Sequence, residues 1–468
     1  MITRPSDGFP PDASRSVVQA VSSGGNLRPR HILMISFGGI IGAGLFVGSS
    51  VLIRSAGPAA LLSYGFCGLT VFLVMRMLAE LALSAASPRI FTECTRDPLG
   101  NCVAFTAGWL YAYYWVIVIA IETVAAAATL RLWLPLPIWL IAIVLLGCVT
   151  IINLSAVRLY GEVEFWLASI KVAAIILFVA LGLGYIALGH FTFAVGPALL
   201  FHNGGFAPHG YGAVIRDIPA AMFAVSGAEI AAVAAVDSSD PAGNTSRSIR
   251  SVILRVMTFY LSAILVILMM VPWSSIVSGY SPFVAALDRV GFKWGAQIMN
   301  GVVFTAVVSC LNSGIYVAAR TLRGLAECGD APSLMLRLDI RGTPYVAVLV
   351  VALAGYGLTL FSALSYQTLF GILLSASGAV MMFIYLLIAL SQVINRRRQD
   401  RVGLPLPSVK MWLFPWLSWL VIMTLIGVLS LMLLNPQTAF ELSASSGAAI
   451  VLLVAYVLRK RFSRLGRA

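Results

Sequence analysis

Three charged residues stand inside runs that should hold none. Lys171 lies in "FWLASIKVAAII". Glu122 follows the aromatic cluster Trp109, Tyr111, Tyr113, Tyr114 and Trp115, and Glu229 sits in "MFAVSGAEIAAVAAVD". A charge at the centre of a hydrocarbon layer costs about 2.5–3.5 kcal/mol on insertion scales, so such residues are functional candidates by default. Taking an ammonium out of water favours its neutral form, which lets a buried amine release and regain a proton. Lys171 is therefore a candidate for proton coupling. The bland reading is a fixed ion pair with Glu164, two turns earlier on the same helix face. Glu122 reads either as a hydrogen-bonded structural acid or as a partner of a proton or a substrate amine. Glu229 directly follows Ser226-Gly227-Ala228, a small-residue interruption in an otherwise helical run.

A second interruption precedes all of these. "GGIIGAGLFVGSS", residues 38–50, carries glycines at 38, 39, 42, 44 and 48. Each glycine weakens a helix by about 1 kcal/mol relative to alanine. The spacing Gly42-x-Gly44-x-x-x-Gly48 is one residue too long for a dinucleotide fingerprint and lacks the β-α-β context. Gly38/Gly42 and Gly44/Gly48 are four apart, which suits close helix packing. These glycines cover several helix faces, however, and a packing stripe needs one. The other reading is a broken helix. Unwound backbone is tolerated at membrane depth only where it lines a cavity or is buried in protein. Its freed N–H groups can hold a carboxylate and its freed carbonyls an ammonium or a cation. An amino acid zwitterion offers both charges.

The elements that position these residues follow from composition. Of 468 residues, 60% are hydrophobic and 10% charged, against about 25% charged in soluble domains. Apolar residues come in blocks of about 20, the length that crosses a bilayer core. Twelve spans are expected, at roughly 31–54, 57–84, 100–128, 137–156, 160–188, 213–236, 247–275, 294–325, 344–362, 366–394, 411–434 and 438–458. The longest connections, 189–212 and 276–293, read as loops rich in Gly, Pro and Ser. The chain is an all-α polytopic membrane protein. Its expected parts are a disordered polar tail 1–30, spans one to five in 31–188, a periplasmic loop 189–212, spans six to ten in 213–394, spans eleven and twelve in 411–458, and a basic tail 459–468.

With the N-terminal tail inside, 24 of the 31 Lys and Arg fall in inside segments and five outside; Arg76 and Lys171 lie within spans. This positive-inside bias places both termini in the cytoplasm. It also makes the net charge of +13 a topology signal, so no nucleic-acid partner is expected. Six cysteines without a C-x-x-C pair and four histidines without ligand spacing give no metal or redox centre. No cofactor is expected. Arg76 and Glu80, four apart, suit a structural ion pair. Trp133, Trp139, Trp273, Trp412, Trp416 and Trp419 lie near span ends, where interfacial anchoring is the expectation.

The run "RHILMISFGGIIGAGLFVGSSVLIRSAGPAALLSYGFCGL" resembles the first-span signature of bacterial amino acid permeases of the amino acid–polyamine–organocation superfamily. "FLVMRMLAELA", "GWLYAYYWVIVIAIE", "YGEVEFWLASIKV", "SGAEIAAVAAVDSSDP", "SCLNSGIYVAARTLRGLAECGDAP" and "MWLFPWLSWLVI" resemble later blocks, so the likeness covers about residues 28–435. "IGAGLFVGSS" and the eleventh-span block look most like 4-aminobutyrate permeases. The resemblance implies a five-plus-five inverted repeat with two added helices, broken in spans one and six. It implies a substrate carboxylate held by backbone N–H groups near Gly42, Ala43 and Gly44. The amine would meet carbonyls near Ile40, Phe223, Ala224 and Gly227, beside the Ser226 break, with Phe223 as an aromatic gate. In sodium-independent members a fifth-span lysine stands where related transporters bind sodium, and Lys171 occupies that place.

Two departures stand out. Ala43 replaces a frequent Thr or Ser, and in "SAASPRIFTECTRDPLG" Arg89-Ile90 and Cys94 replace a usual Gly-Ser and Tyr at the cytoplasmic gate. The expected function is import of an amino acid or amine, such as 4-aminobutyrate, by proton symport across the bacterial inner membrane. An amino acid exchanger is the first alternative, and a permease-like sensor a second. No nucleophile–base pair, metal cluster or phosphate loop supports an enzyme. The expected partners are the small-molecule substrate, protons and the lipid bilayer; oligomeric state is open.

Overall fold

Among the residues described by the computed structural model (40–84, 91–155, 157–188, 195–229, 257–363, 366–403, 405 and 407–465), the chain is helical and contains no β-strand. The expectations for the tail 1–30, Gly38, Gly39, Arg89, Ile90 and residues 230–256 lie outside the described residues. The main helices are α1 (Ala43–Phe46), α2 (Gly48–Ala56), α3 (Ala60–Ser84), α4 (Asn101–Leu130), α5 (Ile138–Leu154), α6 (Val157–Ala187), α7 (Ile218–Val225) and α8 (Met257–Met270). They continue as α9 (Pro282–Arg289), α10 (Lys293–Glu327), α11 (Tyr345–Ala363), α12 (Tyr366–Val402), α13 (Trp416–Leu434) and α14 (Pro436–Leu465). Seven helical stretches are long and apolar enough to cross a membrane, and three further apolar helices are shorter. The chain is a multi-pass membrane protein.

The packing separates a protein-facing interior from a lipid-facing rim. α4 runs along α10 and α11, while α7 lies against α12 and α3. The apolar window of α10 is 78% buried and that of the stretch 43–84 is 72% buried, whereas the α14 window is only 11% buried. The inner helices therefore carry the site and α14 lies on the periphery. α6 and α13 carry apolar residues on nearly all sides, so α6 offers the Lys171 charge no polar stripe leading to water.

Three expectations change. Residues 276–293 are not wholly loop: Ser281-Pro282 starts α9, because proline at the first helical position lacks only an N–H that would have no partner there. α12 continues well beyond residue 394, carrying Arg396 inward. Arg396 Nη1 donates to Glu80 Oε1 at 2.8 Å, so Glu80 pairs with Arg396 and not with Arg76. Arg76 instead stacks on Trp412, with its guanidinium carbon 3.9 Å from the ring centroid. Trp273 is buried rather than anchored in an interface. Its ring meets His209 edge-on and its Nε1 donates to the Asn203 carbonyl. Trp133, Trp139, Trp412, Trp416 and Trp419 are exposed, as an anchoring role requires.

Glu80 also accepts from Gln392 Nε2 at 3.1 Å and from the Met411 N–H at 2.6 Å, joining α3, α12 and the segment before α13. Removing one partner of a buried ion pair costs about 3–5 kcal/mol, because the other is left uncompensated. Glu80→Ala should therefore lower stability by about that amount in thermal unfolding of detergent-solubilised protein. Arg76→Ala, which loses a stacking contact, should cost about 1 kcal/mol or less. Equal losses would show that the Glu80 network is not what ties these helices together.

Candidate functional site

The first break is where the glycine cluster places it. Ile40 is helical, Ile41 and Gly42 bend, and helix resumes at Ala43. Gly42 is needed for space: a Cβ there would lie 2.6 Å from Cys310 Cβ and 2.6 Å from Glu122 Oε1. Gly44 is needed for the same reason, since its Cβ would lie 2.7 Å from the Ala224 Cα. The second break follows α7. Ser226 turns back so that its Oγ donates to the Met222 carbonyl at 2.7 Å, and Gly227 takes φ +105°, a conformation that favours glycine. Ala228 and Glu229 resume helix. The two breaks touch, with Phe223 and Ala224 packed on Gly44.

Four buried side chains meet freed backbone groups at these breaks. The Glu122 carboxylate accepts from the Ala43 N–H, with both oxygens at 3.0 Å. Lys171 Nζ donates to the Ile41 carbonyl at 2.8 Å. Glu229 accepts from the Gly227 N–H at 3.0 Å, the Tyr111 hydroxyl at 3.0 Å and the Tyr385 hydroxyl at 3.2 Å. The Tyr260 hydroxyl lies 3.0 Å from the Ile40 carbonyl and 2.8 Å from the Ala224 carbonyl. Lys171, Glu229 and Tyr260 have no exposed surface, and Glu122 is 1% exposed.

All eleven residues picked from the sequence (Ile40, Gly42, Ala43, Gly44, Glu122, Lys171, Phe223, Ala224, Ser226, Gly227 and Glu229) belong to this buried region. Their arrangement is tighter than the sequence suggests. The Ala43 N–H, expected to face a ligand carboxylate, holds Glu122. Two of the four carbonyls expected to face an amine, those of Ile40 and Ala224, hold Tyr260. Glu164 accepts from Ser309 Oγ at 2.6 Å and from Asn312 Nδ2 at 3.3 Å. Tyr260, Tyr385 and Cys310 were not legible as site residues. Tyr260 sits in "TFYLSAILV", a largely apolar run with no charge, glycine or proline to mark it. Among the described residues, no group of three or more His, Cys, Asp or Glu could hold a metal ion.

The segment expected at the cytoplasmic gate is partly described. Phe91–Thr95 and Arg96–Leu99 form two short helical turns. Arg96 Nη2 meets Asp330 Oδ2 at 2.5 Å, and Arg459 Nη1 lies 3.4 Å from Asp330 Oδ1. Cys94 is buried, and that burial pushes its thiol up to about 12.

Two apposed helix breaks, lined by buried charges inside a helical bundle, are the arrangement found in secondary transporters. The amino acid permease family matches residues 31–464. The chain is 39% identical over 442 residues to the gamma-aminobutyric acid permease of Bacillus subtilis, covering 93% of each chain. It is 39% identical over 446 residues to the gamma-aminobutyric acid permease of Escherichia coli, covering 94% of this chain and 95% of that one. It is 31% identical over 443 residues to the aromatic amino acid transport protein AroP of Escherichia coli, covering 94% and 97%. The chain belongs to the amino acid permease family of the amino acid–polyamine–organocation superfamily.

The spacing at the first break can be tested by substitution. Overpacking typically costs about 1–3 kcal/mol. Gly44→Val, whose branched side chain would be driven into the Ala224 backbone, should weaken substrate binding ~10-fold or more in a scintillation-proximity assay. Gly48→Ala should be tolerated, because its Cβ would meet the end of the Leu374 side chain at 3.3 Å, which can give way. Normal binding by Gly44→Val would refute the view that close approach of the two breaks forms the site.

Proposed function

We propose that this permease imports 4-aminobutyrate, or a closely related amine or amino acid, by proton symport with alternating access. On this reading it lies in the bacterial inner membrane with both termini in the cytoplasm, and spans one to five repeat, inverted, as spans six to ten. The substrate proposal rests on the gamma-aminobutyric acid permeases among its relatives. The coupling proposal rests on one observation: Lys171, wholly buried in α6, donates directly to the Ile41 carbonyl at the first break.

That contact gives proton movement a mechanical consequence. The charged amine holds the carbonyl end of the break, so the break and α6 stay together. When the amine loses its proton toward the cytoplasm, it keeps a weaker donor and the charge that favoured the carbonyl is gone. The segment before Ala43 is then free to move relative to α6. Glu122 holds the N–H side of the same break, where a substrate carboxylate would replace it. Protonation of Glu122 would ease that replacement, which makes it a second candidate for proton coupling. Glu229, held by Tyr111 and Tyr385, offers a negative charge beside the second break for the substrate amine.

Proteoliposomes with an imposed proton gradient test the coupling role. The unmodified protein should concentrate radiolabelled 4-aminobutyrate above the outside level. Lys171→Ala should bind it but stop at equal internal and external concentrations. Gradient-driven accumulation by Lys171→Ala at the normal rate would exclude Lys171 as the coupling residue. Competition with unlabelled proline, aromatic, basic and amide amino acids would rank the substrates.

A further inference from the structure

Among the described residues, the Tyr260 hydroxyl touches both helix breaks through their freed carbonyls. It reaches the Ile40 carbonyl, just before the first break, and the Ala224 carbonyl, near the end of α7. Two acceptors from separate half-helices thus converge on a single oxygen atom. A hydroxyl has one proton to donate to these two carbonyls. An ammonium nitrogen at the same point has three, and could satisfy both. The position is therefore one that a substrate amine fits better than the side chain that occupies it. Tyr260 is wholly buried on α8, and its ring lies 6.0 Å from that of Tyr64, so the hydroxyl is held in place by packing.

We infer that Tyr260 is a positioning residue that stands in for the substrate amine and so lets the carrier return without substrate. The inference rests on the transport reading above and refines it, because it separates net import from exchange. In a symporter, half of each cycle is made without substrate. During that half, the carbonyls of Ile40 and Ala224 still need a donor whenever the bundle is closed around them, as it is in this structure. The Tyr260 hydroxyl supplies it and keeps the two half-helices joined. When substrate arrives, its amine takes both carbonyls and the hydroxyl is released. An exchanger carries substrate in both directions and has no need of this device. Tyr260 thus acts on the substrate-free step alone, while Lys171 and Glu122 hold other atoms of the first break.

Tyr260→Phe removes the hydroxyl and keeps the ring. Radiolabelled 4-aminobutyrate uptake is measured in two modes: into empty proteoliposomes, and into proteoliposomes preloaded with unlabelled 4-aminobutyrate. Loss of this buried hydrogen bond should slow net uptake ~10-fold and leave exchange within about twofold of the unmodified protein. Tyr356→Phe is the control. It removes a hydroxyl–carbonyl bond of 3.2 Å to Ile143, away from the breaks, and should keep the normal ratio of net uptake to exchange. If Tyr260→Phe loses both modes equally, or neither, the inference is wrong.

A second readout needs no transport. Cys310 packs against Gly42 at the first break and is 3% exposed. In a background with the other five cysteines replaced by alanine, N-ethylmaleimide should label Cys310 ~10-fold faster in Tyr260→Phe, because the breaks part more often. Unchanged labelling overturns the inference. If the unmodified protein moves no 4-aminobutyrate in either mode, the substrate reading fails. The labelling rate then decides the role of Tyr260 by itself.

Discussion

A helix broken inside a bilayer-spanning bundle leaves backbone N–H and C=O groups that water cannot reach, and each unsatisfied group costs several kcal/mol, roughly, in that setting. The rest of this structure is arranged around that constraint. At the first break, Lys171 from α6 meets a carbonyl and Glu122 from α4 meets an N–H. At the second, Glu229 meets an N–H, and Tyr260 from α8 joins the two breaks through their carbonyls. Positive groups and hydroxyl protons go to carbonyls, carboxylates to N–H groups.

This arrangement explains why intramembrane charges are tolerated here. Each buried charge is costly alone, but each contributes a hydrogen bond that the broken backbone requires. The same logic bears on the proposed function. A zwitterionic substrate carries one carboxylate and one ammonium, the same two kinds of group that the chain already places at the breaks. Replacing internal partners by substrate then exchanges like for like, and the net cost of opening the site stays small. A permease needs that balance, because a carrier that binds either its substrate or itself too tightly cannot turn over.

Around this centre, the two ends of the bundle are tied by separate sets of contacts. Beyond the start of α3, Arg54 donates to the Ser274 carbonyl and Arg216 to Ser55 Oγ, and His209 and Trp273 pack together. Beyond its other end, Arg96 and Arg459 converge on Asp330. Glu80 and Arg396 form a further buried link between α3 and α12. A buried ion pair contributes little net stability, but losing one partner leaves the other uncompensated. The altered segment around Cys94 lies at the Asp330 end. There Cys328 Sγ contacts Glu93 and Arg96 meets Asp330.

Much of this was readable from residue types alone. Length and composition determined a helical membrane protein, since blocks of about 20 apolar residues with so few charges have no other stable environment. The glycines at 42 and 44 and the Ser226-Gly227 step marked both breaks, because backbone that must bend or pack closely leaves a compositional trace. Lys171, Glu122 and Glu229 marked themselves by being charged where charge is expensive. What remained hidden was the pairing. Glu80 lies four residues from Arg76 in sequence but joins Arg396, more than 300 residues away. Tyr260 carries no local signal, since tyrosine in an apolar helix is ordinary. Sequence by itself determined which groups would need partners, because desolvation acts on each residue separately. Only the tertiary structure decided which partners they found, because hydrogen bonds depend on distances of about 3 Å that arise when distant helices pack.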